Sequence, residues 1–222
     1  METQQTRRLG RPPKQEARNT RERILDSALD LFAAQGFAGT SLRQIAQAVG
    51  VRESAIYAHF ESKQAIYETL FAQAGPPTAI VDGLLAAREN SGTEIVPAVF
   101  LNHLTDTLLA TWDEPRARQF ASFLMREGVL ATAGGNVSVQ TAIHQAQQHL
   151  GALFTYWLDR GLIKADFPTT FLVWELISPL MNVRLLYLKA ENSEEQRQEG
   201  RHIARQHIAY FLASVFHETG RL

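Results

Sequence analysis

Arg52, Glu53, Ser54, Tyr57, His59 and Lys63 fall within one short stretch of the chain. Their chemistry is recognition rather than bond-making. An arginine fork matches the paired acceptors of guanine, and a glutamate accepts from the amino group of cytosine. Tyrosine, histidine and lysine donate to phosphates, which fixes a protein's register on a duplex without reading its sequence. Residues for catalysis are missing at the required spacing. There is no nucleophile elbow, no phosphate-cradling glycine loop and no dinucleotide fingerprint. Gly134-Gly135 has no strand before it and reads as a turn. His144 and His149 are five apart, as are His202 and His207. Helical ligand pairs need spacings of three or four. With no cysteine in the chain, neither a disulfide, a metal site nor a cofactor is expected. An enzyme has no positive support.

The recognition residues need a frame. Ile24, Ala28, Leu31 and Phe32 recur at helical spacing, predicting a helix over 19–35 that Gly36 stops. Ser41 with Gln44 three residues on forms a capping box. It opens a short helix whose apolar side is Leu42, Ile45, Ala46 and Val49, and Gly50 ends it. A third helix over 52–60 buries Ile56 and Phe60. Ser62 caps a fourth. Short helices joined by glycine turns form a helix-turn-helix, whose later helix enters the major groove while the earlier one braces on the backbone.

The charge distribution agrees with this frame. Residues 1–63 hold ten Lys/Arg and seven Asp/Glu, whereas 64–222 hold twelve and sixteen. A basic head on an acidic body meets a polyanion at one end only. Residues 1–18 are polar, basic and without periodicity, and read as a flexible arm. No apolar run is long enough to span a bilayer, and the polar N-terminus has no secretory pattern. The absence of cysteine suits the cytoplasm.

Beyond residue 64 the pattern stays helical, with helices expected over 94–112, 115–131, 138–160, 168–190 and 194–217. Gly75-Pro76-Pro77, Ser91-Gly92-Thr93, Pro115, Gly134-Gly135-Asn136, Gly161 and Pro168 punctuate it. No alternating strand and no repeat is present. The fold class is all-α: an arm (1–18), a DNA-binding head (19–63) and a helical body (64–222).

The stretch from about 20 to 71 resembles the tetracycline-repressor-like (TetR) family. It reads Arg23-Ile24-Leu25, Ala28, Leu31-Phe32, Gly36-Phe37, Thr40-Ser41, Ile45-Ala46, Ala48-Val49-Gly50-Val51, Tyr57-Ala58-His59-Phe60 and Ser62-Lys63. The resemblance implies a homodimeric repressor on a palindromic operator in double-stranded DNA, released by a small-molecule inducer. It implies that Thr40, with Ser41, meets phosphate at the start of the bracing helix. Arg52, Glu53 and Ser54 would lie on the bases, and Tyr57, His59 and Lys63 on phosphates. The family often has serine in place of Arg52 and glycine in place of Ser54. Arg11, between Gly10 and Pro12, resembles basic arms that enter the minor groove, where narrow grooves attract arginine.

In the body, Phe100, Leu104, Phe120, Phe123, Phe154, Trp157 and Trp174 are expected to line an apolar pocket between helices. His103 or Arg126 would meet a polar group of the inducer. Residues 171–188 are apolar nearly all round and must be covered on several sides. Leu180, Val183 and Tyr187, with Ile208, Phe211 and Val215 of the last helix, are expected to form the dimer interface. Pro179 is expected to kink its helix, and Gly75-Pro76-Pro77 is a candidate hinge. The alternative function is a helical adaptor that binds another protein without specific DNA recognition.

Overall fold

Proline opens two of the body helices, at Pro97 and Pro115, serine caps open two other helices, at Ser41 and Ser193, and the left-handed Gly50 closes the helix that Ser41 opens. The computed structural model describes residues 14–74, 81–82, 86, 95–127 and 139–218. Arg11, the Gly75-Pro76-Pro77 break and the turns at 91–93 and 134–136 lie outside them. Helix α1 covers Lys14–Gly39, α2 Leu42–Val49, α3 Glu53–Ile56 and α4 Lys63–Ala74. The body contributes α5 (Pro97–Trp112), α6 (Pro115–Glu127), α7 (Val139–Asp159), α8 (Thr169–Tyr187) and α9 (Glu194–Val215). Extended pairing among the described residues is limited to one isolated bridge between Ile163 and Phe216.

Both ends of α1 differ from expectation. α1 begins at Lys14, so the last residues assigned to the arm are helical. Its regular course breaks where expected, at Gly36 (φ 78°, ψ 164°), but a further helical turn carries it to Gly39. α8, expected over 168–190, runs as one helix over Thr169–Tyr187 with Pro179 inside it.

Two apolar cores form. The first packs Ile24, Leu25, Ala28, Leu29 and Phe32 of α1 against Ile45, Val49, Ile56, Ile66, Tyr67 and Phe71. It is completed from α6 by Ala117, Phe120, Phe123 and Leu124. The second lies between α5, α7, α8 and α9, around Trp112, Phe154, Trp157, Leu176 and Phe211. Each fully buried large side chain contributes roughly 1.5–3 kcal/mol. The division of apolar residues between the two cores therefore fixes how the head is mounted on the body.

Candidate nucleic-acid interface

The helix-turn-helix is built from local hydrogen bonds. Ser41 Oγ accepts from the Gln44 amide at 3.2 Å, and Gln44 Oε1 accepts from the Ser41 amide at 2.8 Å, which is the capping box expected from sequence. Gly50 ends α2 in the left-handed conformation (φ 78°), where a side chain would be strained. The Val51 amide donates to Ala46 O at 2.9 Å and turns the chain toward α3.

α3 starts at Glu53 with no side-chain cap from Arg52, since a guanidinium has no acceptor to offer. Its α-helical part ends at Ile56, short of the expected 52–60. The amides of both His59 and Phe60 close on Ile56 O at 2.9 Å, which tightens the last turn. Ile56 and Phe60 are buried. Arg52, Glu53, Ser54 and Tyr57 are exposed together, and His59 is half-buried beside them.

Two residues expected on phosphates are engaged otherwise. Thr40 is buried, and its Oγ1 donates to Gly36 O at 2.8 Å while accepting from Gln35 Nε2 at 3.3 Å. The hydroxyl therefore satisfies the carbonyl that the Gly36 break leaves open, and does not face outward. Lys63 Nζ donates to Phe37 O at 2.6 Å and Thr40 O at 2.5 Å, and lies 4.3 Å from the centroid of the Phe37 ring. Partial burial there holds its pKa below the ordinary lysine value. Arg23, which has no expected role beyond its place in the family stretch, donates to Val49 O at 2.5 Å.

The residues expected to line one pocket divide into three groups. Phe100, Leu104, Phe154 and Trp157 come together in the body core. The Trp157 ring lies 6.0 Å from Phe100 and 5.3 Å from Phe154, and its Nε1 donates to Ile95 O at 2.8 Å. Phe120 and Phe123 belong to the head core instead, 6.1 Å from Tyr67 in each case. Trp174 is about half exposed, stacked on Phe171 at the surface. His103 is exposed, and Arg126 donates to Ala33 O of α1 at 2.8 Å. Neither polar candidate joins the Phe154–Trp157 group.

The expected dimer contacts are also redirected. Leu180, Val183, Ile208, Phe211 and Val215 are buried within the protomer, and Tyr187 is half-buried. The apolar stripe of α9 covers its own neighbour α8 first. The face of α8 left outward carries Phe171, Trp174 and Leu186, and α9 leaves Tyr210 exposed.

α6 fastens the head to the body. Arg116 forms ion pairs with Glu22 at 2.7 Å and Asp26 at 2.5 Å. Gln119 Nε2 donates to Asp30 at 2.5 Å. Toward the body, Ser122 Oγ donates to Glu191 at 2.6 Å and accepts from the Ala190 amide at 3.0 Å. That bond holds the Glu191 carboxyl below its ordinary pKa. At the N-terminus of α6, Asp113 is paired with Arg118, Arg197 and Arg201.

Comparison with known proteins agrees with this architecture. The model of the bacterial regulatory proteins of the tetR family matches residues 24–70. The chain is 48% identical over 63 residues to the HTH-type transcriptional regulator AcrR of Shigella flexneri, a match covering 28% of this chain and 29% of AcrR. It is 31% identical over 121 residues to the HTH-type transcriptional regulator TtgW of Pseudomonas putida, covering 54% of this chain and 84% of TtgW. Among solved structures, SmeT, the repressor of the Stenotrophomonas maltophilia multidrug efflux pump SmeDEF, superposes with a TM-score of 0.66 at 18% identity, covering 93% of this chain and 95% of SmeT. The relatives matched in sequence are named as transcription regulators, not enzymes. With the head, its capping box and its outward α3 in place, the chain belongs to the tetR family of bacterial regulatory proteins.

Proposed function

We propose that this protein is a transcription repressor that binds a palindromic operator as a two-fold dimer and is released by an apolar or aromatic small molecule. The observation that carries the DNA part is the exposed run Arg52-Glu53-Ser54 with Tyr57, held on α3 by the buried Ile56 and Phe60. Arg52 and Glu53 supply base-reading chemistry, and Tyr57 with His59 supplies phosphate contacts. Arg11 would add a minor-groove contact from the arm.

The inducer part rests on the buried Phe100, Leu104, Phe154 and Trp157 group, which suits an aromatic guest. A structural neighbour, SmeT, is known in complex with triclosan. The dimer part rests on the large apolar side chains that α8 and α9 leave exposed, Phe171, Trp174, Leu186 and Tyr210, since exposed apolar surface of this size marks association sites.

The test is a mobility shift on duplexes flanking the protein's own gene, with and without triclosan and related aromatic compounds. A salt-sensitive complex with one flanking duplex, dissolved by at least one compound, is expected. Equal retention of every duplex would contradict operator recognition. A specific complex that no apolar compound dissolves would contradict the inducer part.

A further inference from the structure

Both ends of the bracing helix α2 are held by cations from neighbouring helices, and in each case the partner is a backbone carbonyl. At the start, Lys63 of α4 donates to Thr40 O, the carbonyl immediately before the Ser41 cap, and to Phe37 O in the preceding turn. At the end, Arg23 of α1 donates to Val49 O, the last residue of α2. Carbonyls at a helix C-terminus lack intrahelical partners, and a cation there is favourable both as a donor and against the helix dipole; this holds for Arg23 at the end of α2 and for Lys63 at Phe37 O in the last turn of α1.

We infer that Lys63 and Arg23 are positioning residues, which set the angle of α2 and α3 against α1 and α4 and so govern how faithfully the head reads sequence. Geometry turns Lys63 away from a phosphate role. Of its three N–H groups, two are spent on carbonyls, and the ammonium is covered on one side by the Phe37 ring. The desolvation that lowers its pKa has the same cause. α2 has few other polar ties to this frame. Thr40 is turned inward to Gly36 O, and the Ser41 box is internal to α2 itself. Apolar packing through Ile45, Ala46 and Val49 holds α2 down but restrains rotation less sharply than two charge-assisted bonds at its ends. Since α3 follows α2 through the Gly50 turn, a small rotation of α2 displaces Arg52 and Glu53 from the base edges while leaving the head near the duplex.

This inference rests on the DNA-binding reading above. The test uses the full chain and two duplexes: one selected by the wild-type protein from a random library, and a scrambled duplex of equal length and composition. Affinities are measured across a salt series for wild type, Lys63→Met and Arg23→Met, with thermal melting as a check on folding. For positioning residues, affinity for the selected duplex falls at least about tenfold, as for loss of a charge-assisted hydrogen bond. Affinity for the scrambled duplex, and the salt slope on it, stay at the wild-type values. A phosphate contact gives the opposite pattern. Both duplexes weaken together, and the salt slope drops by about two per dimer, which would overturn the inference. If Lys63→Met fails to fold, Arg23→Met decides alone, because its side chain lies at the surface and removes one bond. A wild-type chain that selects no sequence would overturn the DNA-binding reading and this inference with it.

Discussion

Gly200 of α9 faces Tyr187 of α8 so closely that a Cβ on the glycine would lie 2.4 Å from the tyrosine Cβ and 2.9 Å from its Cγ. A tyrosine Cβ is fixed by its backbone and cannot rotate away, so the two helices must separate to admit even a methyl group. Gly200→Ala is expected to destabilise the protein by about 1–3 kcal/mol or more, as overpacking does, despite its better helix propensity. Urea unfolding of wild type and variant checks this. A variant as stable as wild type would mean that α8 and α9 are not this close.

The head should not be independent of α6. Phe123 is fully buried, 5.8 Å from Phe32 and 6.1 Å from Tyr67, and Phe120 closes the same group. Phe123→Ala leaves a cavity under both α1 and α4, with an expected loss of about 3–5 kcal/mol. Calorimetry should then show the head melting at lower temperature. A fragment ending at residue 74 should be far less stable than the head in the full chain. A fragment with undiminished stability would contradict the shared core.

How much of this was legible in the sequence depends on the kind of signal. Periodicity with proline and glycine placed the body helices to within a few residues, and Ser41 with Gln44 announced a cap that forms. Periodicity marks a residue as apolar without saying which core it joins, so in sequence Phe120 and Phe123 are indistinguishable from Phe154 and Trp157, which join the other core. The stripe Ile208, Phe211 and Val215 reads as a contact with a partner subunit because nothing in sequence tells a protomer's own helix from a neighbour's. Thr40 and Lys63 took outward roles from the family resemblance, whereas the Gly36 break leaves carbonyls nearby that both side chains satisfy. Gly200 did carry a signal, as a glycine inside a strong helical pattern is a mark of close approach.

His207 supplies a pH dependence. It is half-buried between α8 and α9, with Nε2 3.2 Å from Leu176 O and its ring 6.1 Å from Phe211. Desolvation lowers its pKa below the ordinary 6.5, outweighing the Leu176 hydrogen bond and the charge of Glu175. Above that value the imidazole is neutral in both folded and unfolded chains, and it adds no pH dependence. As pH falls through it, the unfolded chain takes up the proton first and stability declines. Urea unfolding at about pH 7.5 and about pH 5.5 should show wild type losing more stability than His207→Gln, which retains a donor but does not titrate. Equal losses would exclude His207 as the source.

Assembly is tested best at the outward residues. Trp174→Glu together with Tyr210→Glu is expected to give a folded monomer, since Trp174 is half exposed and Tyr210 largely exposed in the protomer. Val183→Glu with Phe211→Glu should instead unfold the chain, because it buries two unpaired charges in the protomer's own core. Sedimentation and circular dichroism separate the outcomes. A double variant at Trp174 and Tyr210 that remains a dimer would place the interface elsewhere.

That α3 reads a DNA sequence is decided by titrating wild type and Arg52→Ala against the selected and the scrambled duplex at one fixed salt concentration. Wild type should prefer the selected duplex by at least about a thousandfold. Arg52→Ala should lose about 1–3 kcal/mol at one base pair per half-site and bind the scrambled duplex as before. Wild-type protein that binds both duplexes equally, or neither, would show that α3 does not read sequence.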